Sequence, residues 1–149
     1  YLNRPCNYRA LQALCDKFSK IVVDQVVKAP AILGAESYFK NKYKKSPCYI
    51  NSATPDDEIK KIVQMRGWSD YFVEVRGSGQ SKTENLKSII EKNGYQPNEV
   101  LFFGDASSDY LAAMNCGVDF FGIVPNTNAP LLKIAPNIEW SENFGNLNK

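Results

Sequence analysis

From Cys48 to Val124 short apolar runs alternate with stretches of helical periodicity, and this alternation restricts the fold more than any other feature of the chain. The runs Cys48-Tyr49-Ile50, Tyr71 to Val75, Val100-Leu101-Phe102-Phe103 and Asp119 to Val124 are short enough for strands and too short for helices. Between them lie polar turns and amphipathic segments, the order expected of βα units. Parallel strands need long crossover connections, usually helices, so the pattern predicts an α/β fold: a Rossmann-like three-layer core with a parallel sheet.

Capping signals place the helices. Thr54 is expected to cap a helix whose first residue is Pro55, with Asp56, Asp57 and Glu58 at its positive end and a stop at Gly67. After the loop Arg76-Gly77-Ser78-Gly79-Gln80, Ser81 and Glu84 form a Ser-x-x-Glu capping box for a helix ending at Gly94. A shorter helix from about Tyr110 to Cys116 ends at Gly117, and a last one is expected near Leu131 in an otherwise loop-rich remainder. Trp68, Tyr71 and Phe72 are expected to pack at the sheet edge.

The opening differs. From Tyr8 to Val27, Leu11, Leu14, Cys15, Phe18, Ile21, Val22 and Val26 recur at helical intervals, giving an amphipathic helix that needs a partner surface. Lys28-Ala29-Pro30 interrupts it, and Ala31 to Tyr43 reads as a second helix, weakened by Gly34. Asn41 to Pro47 then reads as an exposed turn.

Composition limits the chemistry. The 149 residues contain no histidine, which removes Ser-His-Asp and Cys-His catalysis together with most transition-metal sites. Cys6, Cys15, Cys48 and Cys116 form no Cys-x-x-Cys pair and read as reduced thiols of a cytoplasmic protein. The net charge of +2 is spread along the chain without a basic stripe, so neither nucleic acid nor a membrane is an expected partner. No apolar run approaches the roughly 18 residues of a bilayer span. The chain opens on Tyr1 rather than Met, which reads as truncation of a longer protein.

In open α/β sheets ligands sit beyond the carboxyl ends of the strands, where helix N-termini and loop amides converge. Ser52 follows the first strand, Lys82 starts a helix, and Asp105 with Asp109 follows the third strand, at intervals of 30 and 23 residues between the first three. Each interval is about one βα unit, so the sheet can bring them together. A hydroxyl and a lysine suit phosphoryl oxygens, and two carboxylates four residues apart suit Mg²⁺, a hard ion that prefers oxygen ligands. Each residue also has a plainer reading: Ser52 as a turn hydroxyl, Lys82 as a solvated helix lysine, Asp105 as a cap and Asp109 as a helix-start charge.

Taken in order, Ile50-Asn51-Ser52-Ala53-Thr54-Pro55, Ser81-Lys82-Thr83-Glu84 and Val100 to Asp109 resemble the second, third and fourth motifs of the haloacid dehalogenase-like superfamily. The resemblance implies an Mg²⁺-dependent phosphohydrolase acting on a small phosphorylated metabolite through an aspartyl-phosphate intermediate. It assigns phosphate binding to Ser52, Ala53 and Lys82, a catalytic role to Ser52 and Lys82, and the metal to Asp105 and Asp109. It also implies that residues 1–30 are part of a helical cap and that 31–149 form the core without its first strand.

The superfamily's first motif, Asp-x-Asp, is missing from this sequence. Asp24 is the nearest look-alike, but it has no second acid and lies on helical spacing. The 149 residues alone are therefore expected to be inactive, with the nucleophile upstream. The alternatives are a phosphomutase or dehalogenase on the same scaffold, or a non-catalytic binding or regulatory domain. The loop from Gly77 to Lys82 does not match a P-loop.

Overall fold

In the computed structural model, which describes residues 8–148, the apolar periodicity of the opening forms a single helix, α1 (Tyr8–Lys28). Cys6 and the Tyr1 start lie outside the described residues. Asp24 sits in α1 and pairs with Lys28 at 2.8 Å, an exposed contact one helical turn along. Only Val23 of this helix is buried, while Leu11, Leu14, Phe18 and Ile21 face solvent. Its far end is tied to the third helix, where Arg66 donates to the carbonyls of Val26 and Ala29 at 2.5 and 2.6 Å and so satisfies acceptors that the helix end leaves open.

Helix α2 (Ala35–Lys42) begins later than the expected Ala31. Gly34, at φ 79°, makes a left-handed turn before it, and a Cβ there would lie 2.4 Å from the Gly145 amide nitrogen. The close approach and the backbone conformation both require glycine.

Five strands follow: β1 (Tyr49–Asn51), β2 (Glu74–Arg76), β3 (Leu101–Gly104), β4 (Asp119–Ile123) and β5 (Glu139–Ser141). Every pairing is parallel, as the βα pattern requires. The ladder is in two parts, however, with β1 paired to β2 in one and β3-β4-β5 in the other. Two local expectations need correction. Tyr71 is the end of a 3-10 turn (Ser69–Tyr71), so the second strand starts only at Glu74, and β5 lies in the stretch expected to be loop. The aromatic residues of that turn face α2 and the turn after it: Phe72 packs on Phe39 and Tyr71 on Tyr43, each at 5.2 Å between centroids.

Helices α3 (Asp56–Met65), α4 (Lys82–Asn93), α5 (Ser107–Cys116) and α6 (Pro130–Ile134) complete the fold. Strand alternation sends neighbouring phenylalanines to opposite faces. Phe102 and Phe120 pack with Leu86 of α4 and Ala113 of α5, whereas Phe103 and Phe121 pack with Tyr38 of α2 and Phe144. Helices thus cover both faces of the three-stranded unit, giving the three layers.

The capping boundaries fall as expected at Ser81/Glu84, where both reciprocal hydrogen bonds form. Thr54 does not cap α3. Pro55 occupies the cap position without a side-chain bond, and the Thr54 amide donates instead to Ser52 Oγ at 3.1 Å. Helix α5 starts at Ser107, ahead of the expected Tyr110.

Candidate active site

The carboxyl ends of β1 and β3 carry the residues that the sequence singles out. Ser52 directly follows β1, and its amide donates to the Arg76 carbonyl at 2.9 Å, continuing the β1-β2 ladder by one residue. Its Oγ accepts from Thr54, which fixes the side chain and leaves the hydroxyl proton to donate elsewhere. Ala53, next to it, is exposed.

Lys82 is the first residue of α4, a position where the helix dipole disfavours a cation. Its ammonium is compensated across the fold: Nζ lies 2.5 Å from Asp109 Oδ1, with side-chain exposures of 18% and 5%. Asp109 is in the first turn of α5, where its other carboxylate oxygen accepts from the Ala106 amide at 3.1 Å. The plain reading of Asp109 as a helix-start charge and its partnership with Lys82 therefore hold together. The ion pair links the β1-β2 part of the molecule to the β3-β4-β5 part.

Gly104, the last residue of β3, makes this approach feasible. A Cβ there would lie 2.3 Å from Asp109 Cβ and 2.7 Å from its carboxyl carbon. The missing side chain at the end of β3 is what leaves room for an acid on the next helix.

Asp105 sits apart. It is exposed, and its carboxylate makes no hydrogen bond or ion pair to the described residues. It lines a cleft of about 630 Å³ together with Asn126 and Asn128 on the loop after β4. Among the described residues no three His, Cys, Asp or Glu side chains converge. The donor set still fits Mg²⁺, which is commonly held by one or two carboxylates with waters and substrate phosphate completing its shell. Asp105 is available to it, and Asp109 is oriented beside Lys82.

Three further residues hold this region together through contacts that the sequence reading did not assign to them. Asp56, expected only to suit the start of α3, accepts from the Gly77 and Gly79 amides at 2.8 and 3.2 Å and so holds the loop before Lys82. Asn51 donates to the Lys82 carbonyl at 2.8 Å. Asn85 is 3% exposed and donates to Asn51 Oδ1 and to the Gly77 carbonyl at 3.1 and 2.9 Å. The available signal for Asn85 was a polar residue beside Leu86 and one turn before Ile89, on the face of α4 that packs inward.

Residues 6–123 match the family model for haloacid dehalogenase-like hydrolases. Over 79 residues the chain is 38% identical to a phosphoglycolate phosphatase of Vibrio vulnificus, a match covering 50% of this chain and 35% of that protein. The chain therefore aligns with well under two thirds of that relative's length. Its fold is similar to that of a haloacid dehalogenase-like family hydrolase from Streptococcus pneumoniae, with TM-score 0.75 and 15% identity over 97% of this chain and 71% of the other. A Bacillus subtilis HAD-hydrolase, solved bound to magnesium, is similar at TM-score 0.65 and 16% identity over 78% of this chain and 52% of the other. With a family match over residues 6–123 and a parallel α/β core, the chain belongs to the haloacid dehalogenase-like hydrolases.

Proposed function

We propose that this chain is part of an Mg²⁺-dependent phosphatase of a small phosphorylated metabolite, with the phosphoglycolate class as the first substrates to test. The observation that carries the reading is the ion pair of Lys82 with Asp109, which joins the helices that follow β2 and β3, with Ser52 and Asp105 directly after β1 and β3. The Vibrio vulnificus phosphoglycolate phosphatase supports the substrate class.

Lys82 would hold a phosphoryl oxygen, with Asp109 keeping the ammonium aimed. Ser52 would donate its hydroxyl to a second oxygen, and the exposed backbone at Ala53 would border the same group. Preorganised donors of this kind stabilise charge developing in the transition state. Asp105 and Asp109 would hold Mg²⁺, whose contribution is neutralisation of phosphoryl charge.

The nucleophile would come from an aspartate upstream of this sequence, attacking phosphorus to give an aspartyl-phosphate while a second acid protonates the leaving group and then activates water. We place that aspartate on a strand between β1 and β3, a position supported by the separate hydrogen-bonding of the two halves. On this reading residues 31–149 are the core without that strand, residues 1–30 are part of a cap, and the exposed apolar face of α1 meets the rest of it. The 149 residues alone are inactive. Asp105→Asn in the full-length gene product should abolish Mg²⁺-dependent hydrolysis, and retained turnover would remove Asp105 from the metal site.

A further inference from the structure

We propose that Asn85 is a positioning residue for Lys82, holding its backbone through Asn51 while Asp109 holds its ammonium. Asn85 and Asp109 are the buried polar residues among the described ones, each 3% exposed; Asp109 holds the Lys82 ammonium directly, whereas Asn85 reaches the Lys82 backbone only through Asn51. The chain of contacts is short. One Asn85 amide proton goes to Asn51 Oδ1 and the other to the Gly77 carbonyl, and Asn51 in turn donates to the Lys82 carbonyl.

Packing alone does not call for an amide here. Residue 85 neighbours Leu86 and lies one turn before Ile89, where an apolar side chain would fill the same space without desolvating a polar group. Both amide protons are instead spent on groups at the ends of β1 and β2, the two strand ends that flank the start of α4. Asn51 immediately precedes Ser52, so the same link fixes the hydroxyl and the lysine relative to each other. Asp56 braces the far side of the loop through Gly77 and Gly79, and a Cβ on Gly77 would lie 2.3 Å from the Thr54 carbonyl, so the two loops abut. A lysine at the first turn of a helix has a long, flexible stem. Fixing its backbone restricts where the ammonium can reach.

The inference rests on the phosphatase reading only for its effect on turnover, and a labelling readout tests it separately. The full-length gene product would carry Asn85→Leu, which keeps the branched shape and the number of side-chain heavy atoms, or Asn51→Ala, which cuts the link from its other side. Brief reaction with acetic anhydride, read residue by residue by mass spectrometry, should label Lys82 about fivefold faster in either variant, the scale of losing one hydrogen bond. Lys92, 63% exposed on the same helix, is the internal reference and should not change. Leu86→Ala, a core truncation beside Asn85, should lower Tm without raising Lys82 labelling relative to Lys92. For p-nitrophenyl phosphate, Asn85→Leu should reduce kcat about fivefold or more with KM changed less than about twofold, since an interaction expressed at the reacting group lowers kcat. Unchanged Lys82 labelling in both variants would overturn the proposal whatever happened to turnover. Faster labelling with unchanged kcat would keep the positioning role and remove its catalytic consequence. No turnover by the unsubstituted protein would defeat the phosphatase reading and leave labelling to decide the role of Asn85.

Discussion

Replacing Gly104 with alanine tests whether the end of β3 is built around Asp109. The added Cβ would lie 2.3 Å from Asp109 Cβ, against about 3.5–4.0 Å for carbon atoms in contact. Two further Asp109 atoms, the carboxyl carbon and Oδ2, would lie at 2.7 and 2.9 Å. Cβ of Asp109 is fixed to the backbone of α5, so no rotation relieves the overlap and the first turn of α5 must move away from β3. Overpacking of this kind costs about 1–3 kcal/mol, and a clash with a backbone-fixed atom puts Gly104→Ala near the upper end. For about 150 residues each kcal/mol lowers Tm by roughly 2–4 °C, so a fall of about 6–12 °C is expected. Gly94→Ala provides the contrast: its φ is 68° but nothing lies within 4 Å of the added atom, so only left-handed strain of about 1–2 kcal/mol applies. Thermal unfolding followed by circular dichroism compares the two. A Gly104→Ala loss no larger than that of Gly94→Ala would refute the packing argument.

Two other outcomes follow from contacts away from the site. Ser81→Ala removes the hydroxyl that accepts from the Glu84 amide, and should cost about 1 kcal/mol in urea unfolding, whereas the same substitution at Ser88, in the interior of α4, should be neutral or slightly stabilising. Glu74 is held below the usual carboxylate range by its hydrogen bond to Arg76 and, beyond that, by Lys92. A lowered folded-state pKa means stability present above the unfolded value of about 4.3 and lost as pH falls through that value and below it. Glu74→Gln should therefore lower Tm at pH 7 and converge with the unsubstituted protein in acid; an offset constant from pH 7 to pH 3 would contradict the assignment.

The layered core was legible because its signals are local. Strand residues such as Phe102 and Phe103 are apolar on both sides, as a sheet covered on two faces demands, and Ser81 with Glu84 announces its own helix start. Errors arose where tertiary contacts set the boundary. Gly34 turns left-handed against Gly145, far along the chain, and delays α2. The 3-10 turn at Ser69–Tyr71 takes the start of the expected strand, its aromatics drawn to α2 and Tyr43, and β5 has only three residues whose pairing with β4 no local pattern reveals. The individual residues of the candidate site were legible as chemistry-bearing types after strands. Their links were not, because the hydrogen bonds from Asn85 to Asn51 and from Asp56 to Gly77 join segments 34 and 21 residues apart.

Hydrolysis of p-nitrophenyl phosphate by the full-length gene product and by these 149 residues, each with and without Mg²⁺, is the most direct test of the proposed activity. We expect turnover from the full-length protein alone, lost when Mg²⁺ is withdrawn and lost again in Asp105→Asn. Mg²⁺-independent turnover, or equal turnover by the 149 residues, would contradict a site that takes its nucleophile from upstream and its metal at Asp105 and Asp109.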